Sequence, residues 1–443
     1  MPTSKDRAQN AITNWDPENT PFWTATGKAI AWRNLWISVP CLFLSFATWV
    51  LWSAVIVNLN NIGFHFSEAQ LFTLAAIPGL TGAALRILYS FVVPVFGGRN
   101  WTIMSTASLL IPTLWLGHAV QNQTTSYHTL LIIAAFCGLG GGNFSSSMAN
   151  ISFFFPKKNQ GVALGLNAGL GNLGVSGLQF LAPLVIGLSL FGEWGGASQT
   201  WVNGGLTKQI WLQNVAYLWV PPIIFFTLAA WFGMTNLQAV KTSLTEQLII
   251  FKRKHLYITT ILYLMSFGSF IGYSVAFPLL IKIVFKDINP LTYAFLGPFL
   301  GAISRTFGGW LADKTSGASV TFWCIIGMIM SVIGIYYFIQ PMHIHFLGFL
   351  TAFLALFVCT GLANGSIFQM IGVIFPPKEK APVLGMTAAI AAFGAFFIPK
   401  IFALSIQITG VIHAALGIFL TYYIVCLIIT WWSYLRRGAV IQC

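Results

Sequence analysis

Two arginines stand inside otherwise apolar runs: Arg86 in "TGAALRILYS" (81–90) and Arg305 in "GAISRTFGGW" (301–310). A guanidinium held in hydrocarbon costs about 2.5–3.5 kcal/mol on insertion scales, so it persists only with a partner or a task. Its planar fork of N–H donors matches a small planar oxyanion through paired hydrogen bonds. The plainer reading is a structural pairing with a carboxylate or carbonyls, or snorkelling to the surface. The nine acidic residues bear on that choice: Asp6, Asp16, Glu18, Glu68, Glu193, Glu246, Asp287, Asp313 and Glu379 all fall in tails, loops or span ends. None is placed to neutralise either arginine, so the chemistry implied is reversible anion binding. Bond-making chemistry has no support, since no Ser/His/Asp grouping, phosphate-binding loop or metal-ligand cluster stands out. The six cysteines are scattered without a C-x-x-C spacing. Neither an enzyme nor a metal, a cofactor or a disulfide framework is expected.

The elements that must position these arginines are membrane helices. Of 443 residues, 57% are hydrophobic and 7% charged, with 39 Phe and 17 Trp. A soluble domain carries roughly 25% charged residues, so most of this surface faces lipid. Apolar segments of spanning length are drawn at 35–58, 69–96, 101–120, 129–155, 161–190, 211–233, 255–281, 291–312, 320–340, 346–375, 382–407 and 412–434. The expected architecture is therefore an all-α membrane protein of twelve transmembrane helices in two six-helix halves. Its parts are a cytoplasmic N-terminal segment (1–34), a first bundle (35–233), a cytoplasmic linker (234–254), a second bundle (255–434) and a cytoplasmic tail (435–443). No signal peptide is read at the N-terminus; whether "WDPENTPFW" is an ordered lead-in or a short interfacial helix stays open. The net charge of +13 reflects topology rather than nucleic-acid binding. With both termini inside, sixteen Lys and Arg fall on the cytoplasmic side and only Lys208, Lys282 and Lys286 opposite. Arg86, Arg305 and Lys400 remain within spans.

The halves repeat. At an offset of 220, Gly141 matches Gly361, Phe155-Pro156 matches Phe375-Pro376, Ala168 matches Ala388 and Gly174 matches Gly394. At 219, Gly82-Ala83 matches Gly301-Ala302 and Arg86 matches Arg305. Repeats of like orientation imply a pseudo-twofold axis along the membrane normal, with a site between the halves near the midplane. "GVALGLNAGLGNLGVSG" (161–177) carries Gly161, Gly165, Gly169, Gly171, Gly174 and Gly177 beside Asn167 and Asn172. Such a face permits close approach and bending of helices, or else a static packing seam. Phe144 and Phe368 lie in corresponding spans, where they could wall a flat ligand or simply pack. Lys400 in "FFIPKIF" is read as a snorkelling end residue, with a third ligand contact as the alternative. "GWLADKTSG" (309–317) reads as a loop on the cytoplasmic side. With no acid at depth and seven histidines near span ends, the sequence favours anion exchange over proton-driven uptake; a proton carried by a water chain stays open.

These features resemble the major facilitator superfamily, and within it the nitrate/nitrite porter family. "GWLADKTSG" resembles the superfamily's loop motif after the eighth span, while "SFVVPVFGGR" departs from it with Pro94 where an acid would fall. "GLNAGLGNLGVS" and "AAFGAFFIPK" resemble the paired glycine-rich signatures of the nitrate porters, and "NLWISVPCL", "ISFFFPKKNQG", "LYLMSFGSFIG" and "IFQMIGVIF" extend the likeness over nearly the whole chain. The resemblance implies that Arg86 and Arg305 clamp the anion and that Asn172 and Tyr263 donate to it. It further implies that Phe144, Phe267 and Phe368 wall the site while the glycine-rich fifth span flexes. A monomeric carrier of nitrate and nitrite in the lipid bilayer of the inner membrane is expected, both termini cytoplasmic. Its rivals are a nitrate/proton symporter of the same fold and, from another class, an anion channel or a nitrate sensor.

Overall fold

The computed structural model describes residues 11–237, 249–439, 441 and 443. Much of the linker and the first ten residues thus lie outside the described residues. The chain forms twelve spans: α1 (Lys28–Trp49, continued by Leu51–Leu59), α2 (Glu68–Tyr89), α3 (Gly98–Ala107, then Leu110–Ala119), α4 (Tyr127–Phe154), α5 (Lys157–Val185) and α6 (Asn214–Tyr217, then Val220–Gly233). The second set is α7 (Lys254–Tyr263, then Ser269–Val284), α8 (Leu296–Lys314), α9 (Gly317–Phe338), α10 (Phe346–Ile374), α11 (Pro377–Ala391, then Gly394–Thr409) and α12 (His413–Thr430). Among the described residues, ten helical stretches are long and apolar enough to cross a membrane. The remaining two spans are α3, interrupted at Ser108–Leu109, and α8, whose 19 residues include Arg305, Asp313 and Lys314.

Local chemistry sets the ends. The Ser67 hydroxyl accepts from the Gln70 backbone while the Gln70 side chain accepts from the Ser67 backbone, a capping box that starts α2. Phe155-Pro156 ends α4 and Phe375-Pro376 ends α10 with nearly the same dihedrals, φ −106°/ψ 141° at Phe155 and −105°/143° at Phe375. Proline disfavours the helical conformation in the residue before it and then sits at the start of the next helix, so the repeated dipeptide makes the same corner twice.

The structure decides two segments that hydropathy left open and corrects two boundaries drawn on it, the ends of α2 and α8. The first helix begins at Thr20 and reaches α1 through a π-helical turn, Trp23–Gly27, so "WDPENTPFW" is in part helical. α2 ends at Tyr89, and only a short helix, Val93–Phe96, follows. α8 runs on to Lys314, placing Asp313 in its last turn rather than in a loop. Between α5 and α6 lies an antiparallel hairpin, Gln199–Asn203 with Leu206–Ile210, which hydropathy does not signal. Ala11–Ile12 pairs with Asn236–Leu237 beyond α6, so the N-terminal segment and the end of the first half share one face, called here the terminal face.

The halves meet chiefly through α2 against α11, α5 against α8 and α1 against α7. Their bonds concentrate between the level of Arg86 and the opposite face. There Lys400 Nζ donates to Thr73 Oγ1 at 3.2 Å, Gln179 Nε2 to the Ser274 carbonyl at 2.7 Å, and the rings of Phe72 and Phe402 stack at 5.7 Å. Toward the terminal face the contacts thin out. A Cβ added at Gly161, Gly165 or Gly169 of α5, or at Gly385 of α11, would meet nothing within 4 Å. The arrangement is closed toward the opposite face and parted toward the terminal face.

Candidate functional site

Arg86 projects from α2 into the seam between the halves and is fully buried, 0% exposed. It reaches this depth because glycines let neighbouring backbones close in. A Cβ at Gly82 would come within 2.5 Å of Trp49, and one at Gly141 within 2.6 Å of the same ring. The Nε of Arg86 donates to the Gly141 carbonyl at 2.8 Å, and one terminal nitrogen, Nη1, donates to the Ala388 carbonyl of α11 at 3.1 Å. The other, Nη2, is buried without a partner. The guanidinium also lies near the rings of Phe144 (4.7 Å), Trp49 (4.9 Å), Phe267 (5.2 Å) and Phe46 (5.8 Å).

Arg305 occupies the repeat-related position on α8 and is 9% exposed. Its guanidinium rests over Phe368 at 4.5 Å, and its Nη1 is buried without a partner. The close approach of α8 and α10 again depends on glycine, since a Cβ at Gly365 would lie 2.1 Å from the Arg305 carbonyl.

A stack of rings joins the two arginines. Phe267, beside Arg86, is parallel to Tyr263 at 5.6 Å with an interplanar angle of 6°. Tyr263 in turn stacks on Phe368 at 5.0 Å. Thus Arg86, Arg305, Tyr263, Phe144, Phe267 and Phe368 form one contiguous cluster drawn from α2, α4, α7, α8 and α10. Leu264–Gly268 of α7 is a π-helical turn, which re-aims Phe267 relative to a regular helix. Gly268 there faces Gly394 of α11, where a Cβ would fall 2.2 Å from the Gly268 Cα.

Asn172 is buried on α5 with its Oδ1 unpartnered, but no hydrogen bond among the described residues joins it to either arginine. The α5 glycines divide into two sets. Gly171 and Gly174 pack on Leu42 and on the Phe43 backbone of α1, whereas Gly161, Gly165 and Gly169 look onto open space. Lys400 bonds Thr73 near the opposite face, away from the arginine cluster. Glu379 is a buried carboxylate, but it is paired with Arg253 at 2.6 Å, the one ion pair among the described residues. That partner's hydrogen bond raises the Arg253 guanidinium above its ordinary value. Among the described residues neither Arg86 nor Arg305 has a carboxylate partner.

Sequence reasoning missed Trp49, Phe46 and the Ala388 carbonyl. Trp49 is locked by its Nε1–H donating to the Pro78 carbonyl at 2.7 Å, and one tryptophan among 17 carries no distinguishing mark. Ala388 did carry a signal, its repeat match with Ala168, but a backbone acceptor leaves no trace in residue type.

What the cluster can do follows from the unpaired donors. Two guanidinium nitrogens, one from each half, are desolvated and lack acceptors, which is costly unless an acceptor arrives from outside. Aromatic faces flank them and exclude water.

Comparisons with known proteins agree on the fold. Residues 38–399 match the Major Facilitator Superfamily. The chain is 47% identical to "Nitrate/nitrite transporter NarU" of Salmonella typhimurium over 96% of both chains. It is 42% identical to "Probable nitrate/nitrite antiporter NarK2" of Thermus thermophilus over 98% of both. The crystal structure of a D-xylose–proton symporter superposes with a TM-score of 0.67, covering 90% of this chain and 96% of that one at 15% identity. At that identity the likeness concerns the fold alone.

Proposed function

From a chain that belongs to the Major Facilitator Superfamily and, within it, to the nitrate/nitrite porter family, we propose a carrier that exchanges nitrate for nitrite across the bacterial inner membrane. The terminal face is cytoplasmic in this reading, which the excess of Lys and Arg on that side supports. The observation that carries the anion site is the pair of buried, unpartnered guanidinium nitrogens, Arg86 Nη2 and Arg305 Nη1, on opposite halves. A monoanion between them accepts from both and offsets the repulsion of two like charges. Nitrate and nitrite are planar, so the stacked faces of Phe267, Tyr263 and Phe368 suit their shape, and Phe144 closes the Arg86 side. Asn172 joins the anion only after α5 moves toward the site.

Transport follows from the two-sided arrangement. The loaded carrier can close because one negative charge bridges two positive halves. The empty carrier keeps two uncompensated cations and reorients slowly, which makes return of a second anion obligatory. The open space beside Gly161, Gly165 and Gly169 is where α5 closes when the terminal face shuts. Among the described residues no acid lies in the arginine cluster, so a proton has no carboxylate relay there.

The deciding experiment is nitrate uptake into proteoliposomes loaded with nitrite or with an inert anion, with and without an inward proton gradient. Uptake that requires internal nitrite and ignores the gradient is the expected result. Gradient-driven uptake without internal nitrite would establish a symporter instead. Currents far above carrier turnover would mean a channel, and binding without flux a sensor.

A further inference from the structure

Besides Lys400, a further cation sits in the seam with no carboxylate partner among the described residues. Lys282, in the last turn of α7 toward the opposite face, donates from Nζ to the Val57 carbonyl at 2.5 Å and to Asn61 Oδ1 at 2.6 Å. Val57 belongs to the end of α1 and Asn61 to the 3-10 turn, Asn60–Ile62, that follows it, both in the other half. Val57 is in the last turn of its helix, where carbonyls carry partial negative charge. That turn is held from its far side by the hairpin: Asn61 Nδ2 donates to the Val202 carbonyl at 2.8 Å, and Trp201 Nε1 to Asn58 Oδ1 at 3.0 Å. Lys208 lies over the Trp201 ring at 4.4 Å, bringing a second cation to the same corner. Glu68, Glu193 and Asp287 share this face, but none forms an ion pair with Lys282.

Deeper in the seam the pattern repeats. Gln179 Nε2 of α5 donates to the Ser274 carbonyl of α7 at 2.7 Å and to Ser53 Oγ at 3.1 Å. Its Oε1 is buried without a partner. Arg86 then donates to the Ala388 carbonyl. In each case a donor of one half is satisfied by a neutral oxygen of the other. Neutral oxygens are weaker acceptors than an oxyanion. For a ligand to reach the arginines from this face the seam must part, and parting strips these donors of their acceptors as the ligand arrives.

We propose that Lys282 is an entry site for small monovalent oxyanions on the opposite face, sealed by Val57 and Asn61 when that face is closed, with Gln179 the next donor on the way to Arg86. The proposal rests on the anion-carrier reading above. When the face opens, an entering anion takes the place of the Val57 carbonyl and the Asn61 amide oxygen on the ammonium. It then moves inward to the freed Gln179 amide.

The test measures KM for nitrate separately from each face, in membrane vesicles of the two orientations, at low and high ionic strength. In the parent, raising the ionic strength should raise KM more from the opposite face than from the terminal face. Lys282→Met should raise KM at the opposite face by about five- to tenfold at low salt, since local charge raises on-rates by tenfold or more. The same variant should remove the salt dependence there and leave the terminal-face KM within about twofold. Lys282→Arg, which keeps the charge, should recover most of the affinity. Equal changes on both faces, or a parent whose salt dependence is the same from either side, would overturn the entry site and leave the carrier reading intact. A parent that carries neither nitrate nor nitrite would overturn both.

Discussion

The two halves of the molecule place an arginine at the same repeat position and treat it differently. Arg86 is fully enclosed, bonded to Gly141 in its own half and to Ala388 in the other, and surrounded by four aromatic rings. Arg305 is slightly exposed, lies over the Phe368 ring with the Tyr263 hydroxyl beside it, and among the described residues holds no carbonyl of the other half. The repeat-related acceptor exists, because Ala168 matches Ala388, yet Arg305 is not bonded to it. The reason lies in the conformation. α11 is drawn against α2 at the level of Arg86, whereas Gly161, Gly165 and Gly169 in the terminal part of α5 meet nothing within 4 Å. In the proposed mechanism Arg86 is the fixed post, and Arg305 is the one that follows the ligand. A carrier closed on one face requires such an inequality, and the reverse inequality is expected when the other face closes.

The largest test of this contrast is lysine substitution. Arg86→Lys and Arg305→Lys should each weaken nitrate binding and exchange by about 100-fold, as expected from losing two charge-assisted bonds worth roughly 1.5 kcal/mol each. Only Arg86→Lys should also lower the melting temperature of the empty carrier, because only Arg86 holds carbonyls in both halves. Equal melting shifts would erase the distinction, and full transport by Arg305→Lys would discard the two-arginine site.

Glycine substitutions come next in size. Gly394→Ala would push a methyl to 2.2 Å from Gly268, and Gly174→Ala to 2.1 Å from the Phe43 carbonyl. Each should cost about 1–3 kcal/mol or more of stability, read as a lower melting temperature in detergent. Gly165→Ala meets nothing within 4 Å. It should leave stability unchanged or raise it by up to about 1 kcal/mol while slowing exchange, because its methyl obstructs only when the terminal face closes. Unimpaired exchange in Gly165→Ala would show that this part of α5 does not close on anything.

Phe368→Ala removes the single ring beneath Arg305 and should weaken binding by about 0.5–2 kcal/mol, seen as a roughly two- to thirtyfold higher Kd. Phe144→Ala should do less, since Arg86 keeps three other rings. The smallest effect expected is from pH. With no carboxylate at the arginine cluster, exchange at fixed anion concentrations should vary by less than about twofold between pH 6 and 8. A steep pH profile would point to a titrating group in the pathway.

Much of this was legible in the chain before folding. Hydropathy, the Lys/Arg asymmetry and the Phe-Pro repeat are local or periodic properties, and they predicted twelve helices in two like halves with two equivalent arginines at depth. Counting nine acids predicted that neither arginine would find a carboxylate, and among the described residues neither does. Tyr263 and Phe267 entered only through family likeness, and Phe144 and Phe368 stayed undecided between ligand wall and packing until that likeness was drawn, because any single ring among so many aromatics looks like core. Other features lay beyond the sequence for a common reason: they depend on where two bundles touch. The acceptor for Arg86 is a backbone carbonyl 302 residues away, which has no side-chain signature. The hairpin is too short and polar to register against membrane helices. Six α5 glycines look alike in the sequence, yet Gly174 is wedged against α1 while Gly165 faces empty space. Composition and spacing determined that each half would carry a cation into the bilayer; only the packing of one half on the other decided which of them is bonded across the seam.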